Sequence, residues 1–406
     1  MNNENQRLKT KLENRERRQS MSVKVYEFKL KEPSLKNKKY LDFLFIQSKW
    51  LYNFILSQKD IFKFDTKIKK ISHRDKDGNN VEIELTLPAK IRQSIFFRIR
   101  DAIKGLSVKK KKGKTKEVGK LKFKSTVNSI ELNQYKVSHR YNFSKNTITF
   151  YKHTFKIYGL DQIKTDVEFA NAFLIKKADG YYIHQTVYEN KEFKNKEKEK
   201  AIGLDFGIKD SLTLSNGKKF LVTISETLRL KNLQRKLCRQ TKRSKNWFKT
   251  KDKIEKEYLY LTNLKNDKAN KILSCLKSNF ETIVFQDENL KGWHKGLFGK
   301  QVQNSILGRI KAKLINLENS IVVDRFFPST KLCYSCGFKN EIDLSERTFK
   351  CQHCGFEEDR DIKAAKTILF EGLRLKKLSS CGTQDYKCGE NVRLLGLELS
   401  DLEAVF

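Results

Sequence analysis

The pattern of apolar and polar positions changes period several times along the chain. Residues 1–21 are polar and charged with almost no apolar content, the profile of a frayed helix or a flexible basic arm. From 22 to 30 the pattern alternates (Val23, Val25, Phe28, Leu30), which predicts a strand. Residues 36–62 take a helical period, with Leu41, Leu44, Phe45, Trp50, Leu51 and Phe54 on one side. After a turn at 77–80 (AspGlyAsnAsn), a second helix over 87–106 opens near Pro88 and carries Arg92, Arg98, Arg100 and Lys104 beside its apolar stripe. A lysine and glycine run at 109–122 reads as a loop able to follow a phosphate backbone. Between 121 and 191 short alternating segments return, at 147–151, 167–176 and 181–188, with Tyr and Phe interleaved among Lys and Arg. This suits a β-barrel that stacks on bases and neutralises phosphates, interrupted by the helical segment 35–106. Lys122 and Lys124 are candidate nucleic-acid contacts within it, and a charged linker at 192–200 ends this half.

The second half opens on a strand in which Ile202 and Leu204 lead to Asp205, flanked by Gly203 and Gly207, small neighbours that would let a substrate approach. Leu212 and Leu214 begin a second strand, with a hairpin turn at Asn216 and Gly217. This beginning resembles that of an RNase H-like fold, with an Asp on the central strand facing the site. Residues 225–279 are helical and basic: Leu228, Leu230, Leu233 and Leu237 form one stripe, and Arg229, Lys231, Arg235, Lys236 and Arg239 the rest. A break near 242–246 folds the stretch into a helical hairpin. Its one-sided basic density points to nucleic acid, with Arg235 and Arg239 as contacts. A third strand, ThrIleValPheGln, ends in Asp287 and Glu288.

Four of the eight cysteines form two C-x-x-C pairs, Cys333 with Cys336 and Cys351 with Cys354, each followed by a glycine (Gly337, Gly355). Two such knuckles at this separation are the four-cysteine zinc-ribbon signature, a structural site whose thiolates leave no open position. His353 lies inside the second knuckle and is expected to be exposed. Asp361 then stands just before an apolar helical run (Ile362, Ala365, Ile368, Leu369). A lone Asp there is usually a cap. Together, Asp205, Glu288 and Asp361 could not converge without cations, because like charges raise one another's pKa. Two Mg2+ ions would relieve that repulsion and form an in-line clamp on a phosphodiester.

Composition sharpens the partner. Lys and Arg number 85 against 48 Asp and Glu, a formal charge of +37, which points to a large polyanion. No apolar run approaches the ~18 residues of a membrane span, and no signal peptide is recognisable. Cys238, Cys275, Cys381 and Cys388 have no framework spacing, as in a reducing cytosol.

Several stretches together resemble the TnpB family of insertion-sequence proteins and its relatives, the compact type V CRISPR effectors. They are GlyLeuAspPheGlyIleLys, the LeuGlnArgLysLeu…LysArgSerLysAsnTrp hairpin, GlnAspGluAsnLeuLysGlyTrp, ProSerThrLysLeuCysTyrSerCysGly, LeuSerGluArgThrPheLysCys and AspArgAspIleLysAlaAla, with a similar tail, GlyThrGlnAspTyrLysCysGlyGluAsnValArg. The match covers 200–393 closely and the N-terminal half in layout only. The resemblance implies an RNA-guided DNA endonuclease of mixed α/β and α+β multidomain fold. Its expected parts are a basic arm (1–21), a wedge-like barrel (22–34 and 107–191), a helical recognition insert (35–106), the linker (192–200), a RuvC-like nuclease domain (201–328 and 359–380), an inserted zinc ribbon (329–358) and a tail (381–406). It puts Asp205, Glu288 and Asp361 on the magnesium-binding triad and the four cysteines on the zinc ribbon. Arg347 and Arg360 would contact the scissile phosphate. Guide RNA and double- and single-stranded target DNA would be the partners of a monomer in a prokaryotic cytoplasm, at the nucleoid. Two departures stand out: Lys363 replaces the usual Asn two residues after Asp361, and Asp287 competes with Glu288 for the second acid. The competing readings are a nuclease-inactive RNA-guided repressor and a compact CRISPR effector. A DNA-joining transposase fits less well, because no tyrosine-nucleophile motif is recognisable.

Overall fold

Alternation along 22–30 becomes the first strand of a seven-stranded antiparallel sheet. The computed structural model describes residues 2–74, 78–113, 117, 119–163, 167–190, 199–207, 211–343 and 345–380. The chain divides into two compact units, Met1–Phe193 and Lys194–Phe406. Most of the predicted linker and the whole predicted tail, with Cys381 and Cys388, lie outside the described residues.

In the first unit, helix α1 (Asn2–Gln19) precedes β1 (Met21–Leu30), α2 (Leu35–Ser57), a hairpin of β2 (Lys70–Arg74) and β3 (Asn80–Glu84), and α3 (Ala89–Lys111). Strands β4 (Ser129–Leu132), β5 (His139–Asn142), β6 (Thr147–Phe150), β7 (His153–Tyr158), β8 (Glu168–Lys177) and β9 (Gly180–Asn190) follow. The sheet order is β4-β8-β9-β1-β7-β6-β5, a nearly closed barrel-like arrangement. Leu41, Leu51 and Ile55 of α2, Ile91 and Ile99 of α3 and Phe28, Leu132, Ile148 and Ile183 of the sheet share one buried cluster, so the inserted helices complete the core of the sheet. Helix α3 runs to Lys111, past the predicted 106: lysine is a good helix former, and Lys109, Lys110 and Lys111 complement the helix C-terminus. The β2–β3 hairpin within the insert expected to be helical escaped prediction, since only Ile71, Val81 and Ile83 give it apolar character.

Inside this sheet lies a closed polar network. Gln185, fully buried, donates its amide to the carbonyls of Ala170 (2.9 Å) and Thr186 (2.8 Å). Its carboxamide oxygen therefore accepts, from the Tyr141 hydroxyl (2.9 Å) and from His139 Nε2 (3.0 Å). His139 Nδ1 is left to accept from the Ser138 hydroxyl at 3.1 Å, so the neutral imidazole is satisfied at both nitrogens.

The second unit is built on a five-stranded mixed sheet, β12-β11-β10-β13-β14. Strand β10 (Glu199–Phe206) pairs antiparallel with β11 (Ser211–Leu214), which pairs with β12 (Lys219–Leu221). On its other side β10 runs parallel to β13 (Phe280–Gln286), and β13 to β14 (Ser320–Val323). The basic hairpin is α4 (Leu228–Cys238), capped by Thr227, and α5 (Lys245–Asn279), capped by Ser244. Its predicted stripe holds for Leu230, Leu233 and Leu237, which meet Ile254 and Leu261 of α5. Leu228 is 72% exposed, because it stands in the first turn, beyond the reach of α5. Short helices α6 (Leu290–Lys295), α7 (Gly299–Asn304) and α8 (Leu307–Leu314) lead to β14, and the small hairpin β15 (Thr348–Lys350) and β16 (Glu357–Asp359) leads into α9 (Arg360–Ser380). Among the described residues no helix is long and apolar enough to cross a membrane.

Burial pushes the His139 imidazole down to about 4 from its ordinary value, against the pull of the Gln185 hydrogen bond. The unfolded chain would take up a proton near pH 6.5 that the folded unit refuses, so this stability is full above pH 6.5 and is lost as pH falls toward 4. Denaturant melts at descending pH are expected to lose up to about 3 kcal/mol from this residue. The fall should flatten in His139→Gln.

Candidate active site and cysteine centre

Strand alternation decides which way Asp205 points. Ile202, Leu204 and Phe206 enter the cluster formed with α5 and α8, while Ala201 joins Val284, Val323, Ile368 and Leu369 on the opposite face, under α9. Gly203 and Asp205 share the Ala201 parity and so face α9. The helix comes very close there. A Cβ on Gly203 would stand 2.1 Å from the Ala365 carbonyl oxygen and 2.8 Å from Leu369 Cβ. A Cβ on Gly372 would stand 2.2 Å from Val284 Cγ1. Gly203, read from sequence as room for a substrate, is thus room for a helix. Asp361, Ala365, Leu369 and Gly372 recur at helical spacing, so the face that presses on the sheet also carries Asp361 toward Asp205.

Asp361 is not the helix cap. Asp359 Oδ1 accepts from the backbone N–H of both Asp361 and Ile362, at 3.0 Å each, which leaves the Asp361 side chain available to the site. The Asp205 carboxyl is pushed up to about 7 by burial, then by the charge of Asp361 and of Glu288; Arg360 and Lys363 oppose the rise. Asp205 therefore lies in the field of both Asp361 and Glu288. Their oxygens are not drawn into a closed set: among the described residues, the four cysteines alone form a group of three or more ligand side chains poised for an ion.

The two acids after β13 divide their roles. Asp287 accepts from Lys311 Nζ at 2.5 Å and from Arg325 at 2.6 Å, and these cations, Lys311 first, hold its carboxyl below the usual range. Glu288 is held differently: Lys311 Nζ donates to its backbone carbonyl at 2.5 Å, burial raises its carboxyl, and the charges of Lys311 and Arg325 pull it partly back. Gln286 fixes the approach of this loop, donating to the carbonyls of Asp324, Arg325 and Phe327 and accepting from Ser329.

The cysteines form two matching turns. Gly337 N–H donates to the Cys333 carbonyl (2.8 Å) and Gly355 N–H to that of Cys351 (3.0 Å), with φ of +74° and +73° at the glycines. All four sulfurs lie within 4.8 Å of one another, a set able to hold a metal ion. Asn340 bridges the knuckles, reaching Cys351 Sγ at 3.6 Å and accepting from Gln352 N–H at 2.8 Å. His353 is exposed and stacks on Phe338, outside the sulfur set.

Lys363, the departure from the family pattern, turns away from the Asp361 turn. It is 0% exposed, and its ammonium donates to the carbonyls of Ser329 (3.0 Å), Thr330 (2.6 Å) and Leu332 (3.0 Å) while lying 3.8 Å from the centroid of the Phe349 ring. It therefore ties α9 to the base of the first knuckle and to β15. Lys366 adds a second tie, to Glu358 at 2.6 Å. No sequence signal short of three-dimensional contact marks Lys363 as buried.

The basic candidates scatter. Arg360 lies beside the acids, its guanidinium 3.4 Å from Asp361 Oδ1 and 2.8 Å from the Glu346 carbonyl. Arg347 is exposed, as are Arg235 and Arg239 on α4. In the first unit Lys122 is exposed, whereas the Lys124 ammonium rests 4.1 Å from the Tyr52 ring centroid and its backbone pairs with Asn53.

Two substitutions probe this assembly. Gly203→Ala is expected to cost about 3 kcal/mol and lower the Tm, because a strand backbone and a helix backbone must part. Lys363→Met keeps volume but orphans three carbonyls; a loss of about 3 kcal/mol and faster amide exchange near Leu332 and Cys333 are expected by thermal melt and hydrogen exchange.

Comparison with known proteins fits this geometry. The family described as "Probable transposase" matches residues 184–293, which hold Asp205 and Glu288. The family described as "Cas12f1-like, TNB domain" matches 308–368, which hold the four cysteines and Asp361. A Streptomyces pristinaespiralis protein named "Putative RNA-guided DNA endonuclease" is 31% identical over 45% of this chain and 47% of its own length. Escherichia coli K12 "Putative RNA-guided DNA endonuclease InsQ" is 28% identical over 42% and 48%. The chain thus spans about half the length of the curated relatives it matches. A chain of a Cas12f1–sgRNA–target DNA complex solved by cryo-EM aligns over 86% of this chain and 99% of its own, at a TM-score of 0.38 and 12% identity. Residues 184–293 and 308–368 are thus similar to a probable-transposase family and to the Cas12f1-like TNB domain, and two proteins named as putative RNA-guided DNA endonucleases resemble nearly half of the chain.

Proposed function

We propose that the protein is an RNA-guided DNA endonuclease, in which a guide RNA selects the DNA and a metal-dependent RuvC-like site hydrolyses its phosphodiester bonds. The observation that carries this reading is that Asp361 and Glu288, from two other elements, come close enough for their charges to act on the buried Asp205. A buried acid whose charged form is further disfavoured by two neighbouring carboxylates is what a cation site looks like before the cation binds.

The donor sets divide by hardness. Carboxylate oxygens suit Mg2+, and four thiolates suit Zn2+. Asp205, Glu288 and Asp361 would hold two Mg2+, which when bound supply charge for the scissile phosphate and acidify water. The looser spacing of the acids, against the tight sulfur set, suits ions shared with a phosphate. Lys311 and Arg325 neutralise Asp287 and so keep a fourth negative charge from the incoming strand. Arg360, beside Asp361, is placed to meet a phosphate oxygen, with Arg347 on the same hairpin stem. Lys122, Lys124, Arg235 and Arg239 would contact phosphates away from the chemistry. Cys333, Cys336, Cys351 and Cys354 would hold Zn2+ as a closed structural site. Guide RNA and double- and single-stranded DNA are the partners, and the protein would act as a monomer on the nucleoid of a prokaryotic cytoplasm.

A nuclease-inactive RNA-guided repressor would be expected to have lost an acid, and all three stand here. Co-purifying RNA, matched target DNA and Mg2+ make the assay. Asp205→Ala is expected to lower the cutting rate at least about a hundredfold while RNA and DNA binding persist. If the variant cuts like the parent, Asp205 is not a metal ligand. A parent that binds both nucleic acids without cutting would establish the repressor.

A further inference from the structure

We propose that the first unit carries a pocket for one unstacked nucleobase of a single-stranded nucleic acid, floored by Tyr135 and Phe169. A cavity of about 840 Å³ opens there beside β8 and β9, lined in part by Gln134, Tyr135, Lys136, Phe169, Asn171 and Tyr188. All of its lining residues belong to the first unit.

Three local features build it. The β8–β9 ladder runs from Lys177↔Gly180 to Ala172↔Gln185 and resumes at Phe169↔Val187. Ala170 and Asn171 thus face Thr186 alone, a bulge that bends β8 and opens the wall. On the facing turn, Gln134 and Lys136 take φ of +64° and +67°, left-handed conformations that are uncommon for side-chain-bearing residues and that recur at functional sites. The turn is held by Lys136 N–H to the His139 carbonyl (2.8 Å) and Ser138 N–H to that of Gln134 (3.0 Å). It lays the Tyr135 ring on Phe169, with centroids 4.3 Å apart and planes at 24°. The third feature closes one side: the Arg18 guanidinium lies 4.7 Å from the Tyr188 centroid and pairs with Glu168 at 2.5 Å.

Tyr135, Phe169 and Tyr188 are all half-buried, so ring surface remains open to the cavity. The rim is polar, with Gln134, Asn171 and the Lys136 ammonium exposed. An occupant with a flat π face, hydrogen-bonding edges and an attached anion fits all of this. A base inside a duplex has both faces covered; a base in a single strand offers one to a protein ring. The chain's +37 charge favours such an anionic polymer over a neutral flat ligand. The pocket rests on the nucleic-acid reading above for its occupant, and on neither metal centre.

The test uses the full chain, stripped of co-purifying nucleic acid by high salt and carrying Asp205→Ala so that no strand is cut. It is irradiated with short single strands bearing 5-iodouridine (RNA) or 5-iodo-2′-deoxyuridine (DNA), and with 5-iodouridine monophosphate. Support is a crosslink mapped to 134–136 or 169–171, together with roughly tenfold weaker strand binding by Tyr135→Leu at unchanged salt dependence. Lys136→Gln, by contrast, is expected to reduce the salt slope by about one. The RNA and DNA arms identify the strand. Crosslinks confined to other segments, or parent-like binding by Tyr135→Leu, overturn the pocket. Preferential labelling by the mononucleotide overturns the strand as its occupant. The crosslink map of the unsubstituted aromatic floor needs no further variant, and Phe169→Leu serves if Tyr135→Leu melts early. If the parent chain cuts DNA but the Asp205→Ala chain gives no crosslink here, the pocket alone falls; if the Asp205→Ala chain crosslinks here but the parent never cuts, only the nuclease reading falls.

Discussion

The second unit depends on one close contact, helix α9 pressed onto β10 and β13 where neither partner can carry a Cβ. Gly203 gives up its side chain to the Ala365 carbonyl, and Gly372 gives up its own to Val284. Ile368 and Leu369 fill the remaining face against Ala201, Val284 and Val323. Glycine inside a strand weakens it by lost packing and added chain entropy. Here that cost, about 1 kcal/mol, is offset by bringing an acidic helix turn beside an acidic strand end. A wider spacing would weaken the charge that Asp361 exerts on Asp205.

Charge in the site is arranged rather than merely abundant. Four carboxylates lie in this region, and one of them, Asp287, is neutralised locally by Lys311 and Arg325. The same two cations limit the rise that burial causes in the Glu288 carboxyl through their field, while their side-chain hydrogen bonds to a carboxylate go to Asp287. Of the two adjacent acids, Asp287 thus becomes a structural anchor, while the Glu288 carboxyl is held by burial and by the field of the same cations. Arg360 and Lys363 add positive charge on the α9 side, enough to moderate Asp205 while leaving it far above an ordinary aspartate.

Much of this was legible in the sequence where a period or a spacing carried it. The C-x-x-C pairs declare a sulfur site because four ligands must meet through two tight turns, and the glycines after them take the left-handed angles such turns need. Strand alternation around Asp205 predicts a buried sheet with one polar end. What stayed hidden depends on partners distant in the chain. Gly203 was legible as a small residue, but its use required knowing which helix lies above it. The pairing of Asp287 rather than Glu288 with cations depends on Lys311 and Arg325, each more than twenty residues away. Asp359 outranks Asp361 as the cap because of a hairpin that positions it, and the β2–β3 hairpin carries too few apolar residues to show a period.

Lys363 shows how a departure from a family pattern can move a residue's role through space. An asparagine two positions after Asp361 can reach only the turn it belongs to. A lysine stem extends four carbons, and here it spans from α9 to three carbonyls at the start of the cysteine segment and to the face of Phe349. Asp359 caps the turn, and Lys363 ties α9 to the start of the cysteine segment. A buried ammonium is tolerated only where every proton finds an acceptor, and three carbonyls for three N–H groups meet that condition. The cysteine segment is therefore fixed to the helix that carries Asp361, so a shift of the knuckles would have to break a fully satisfied charge before it could leave the acid in place.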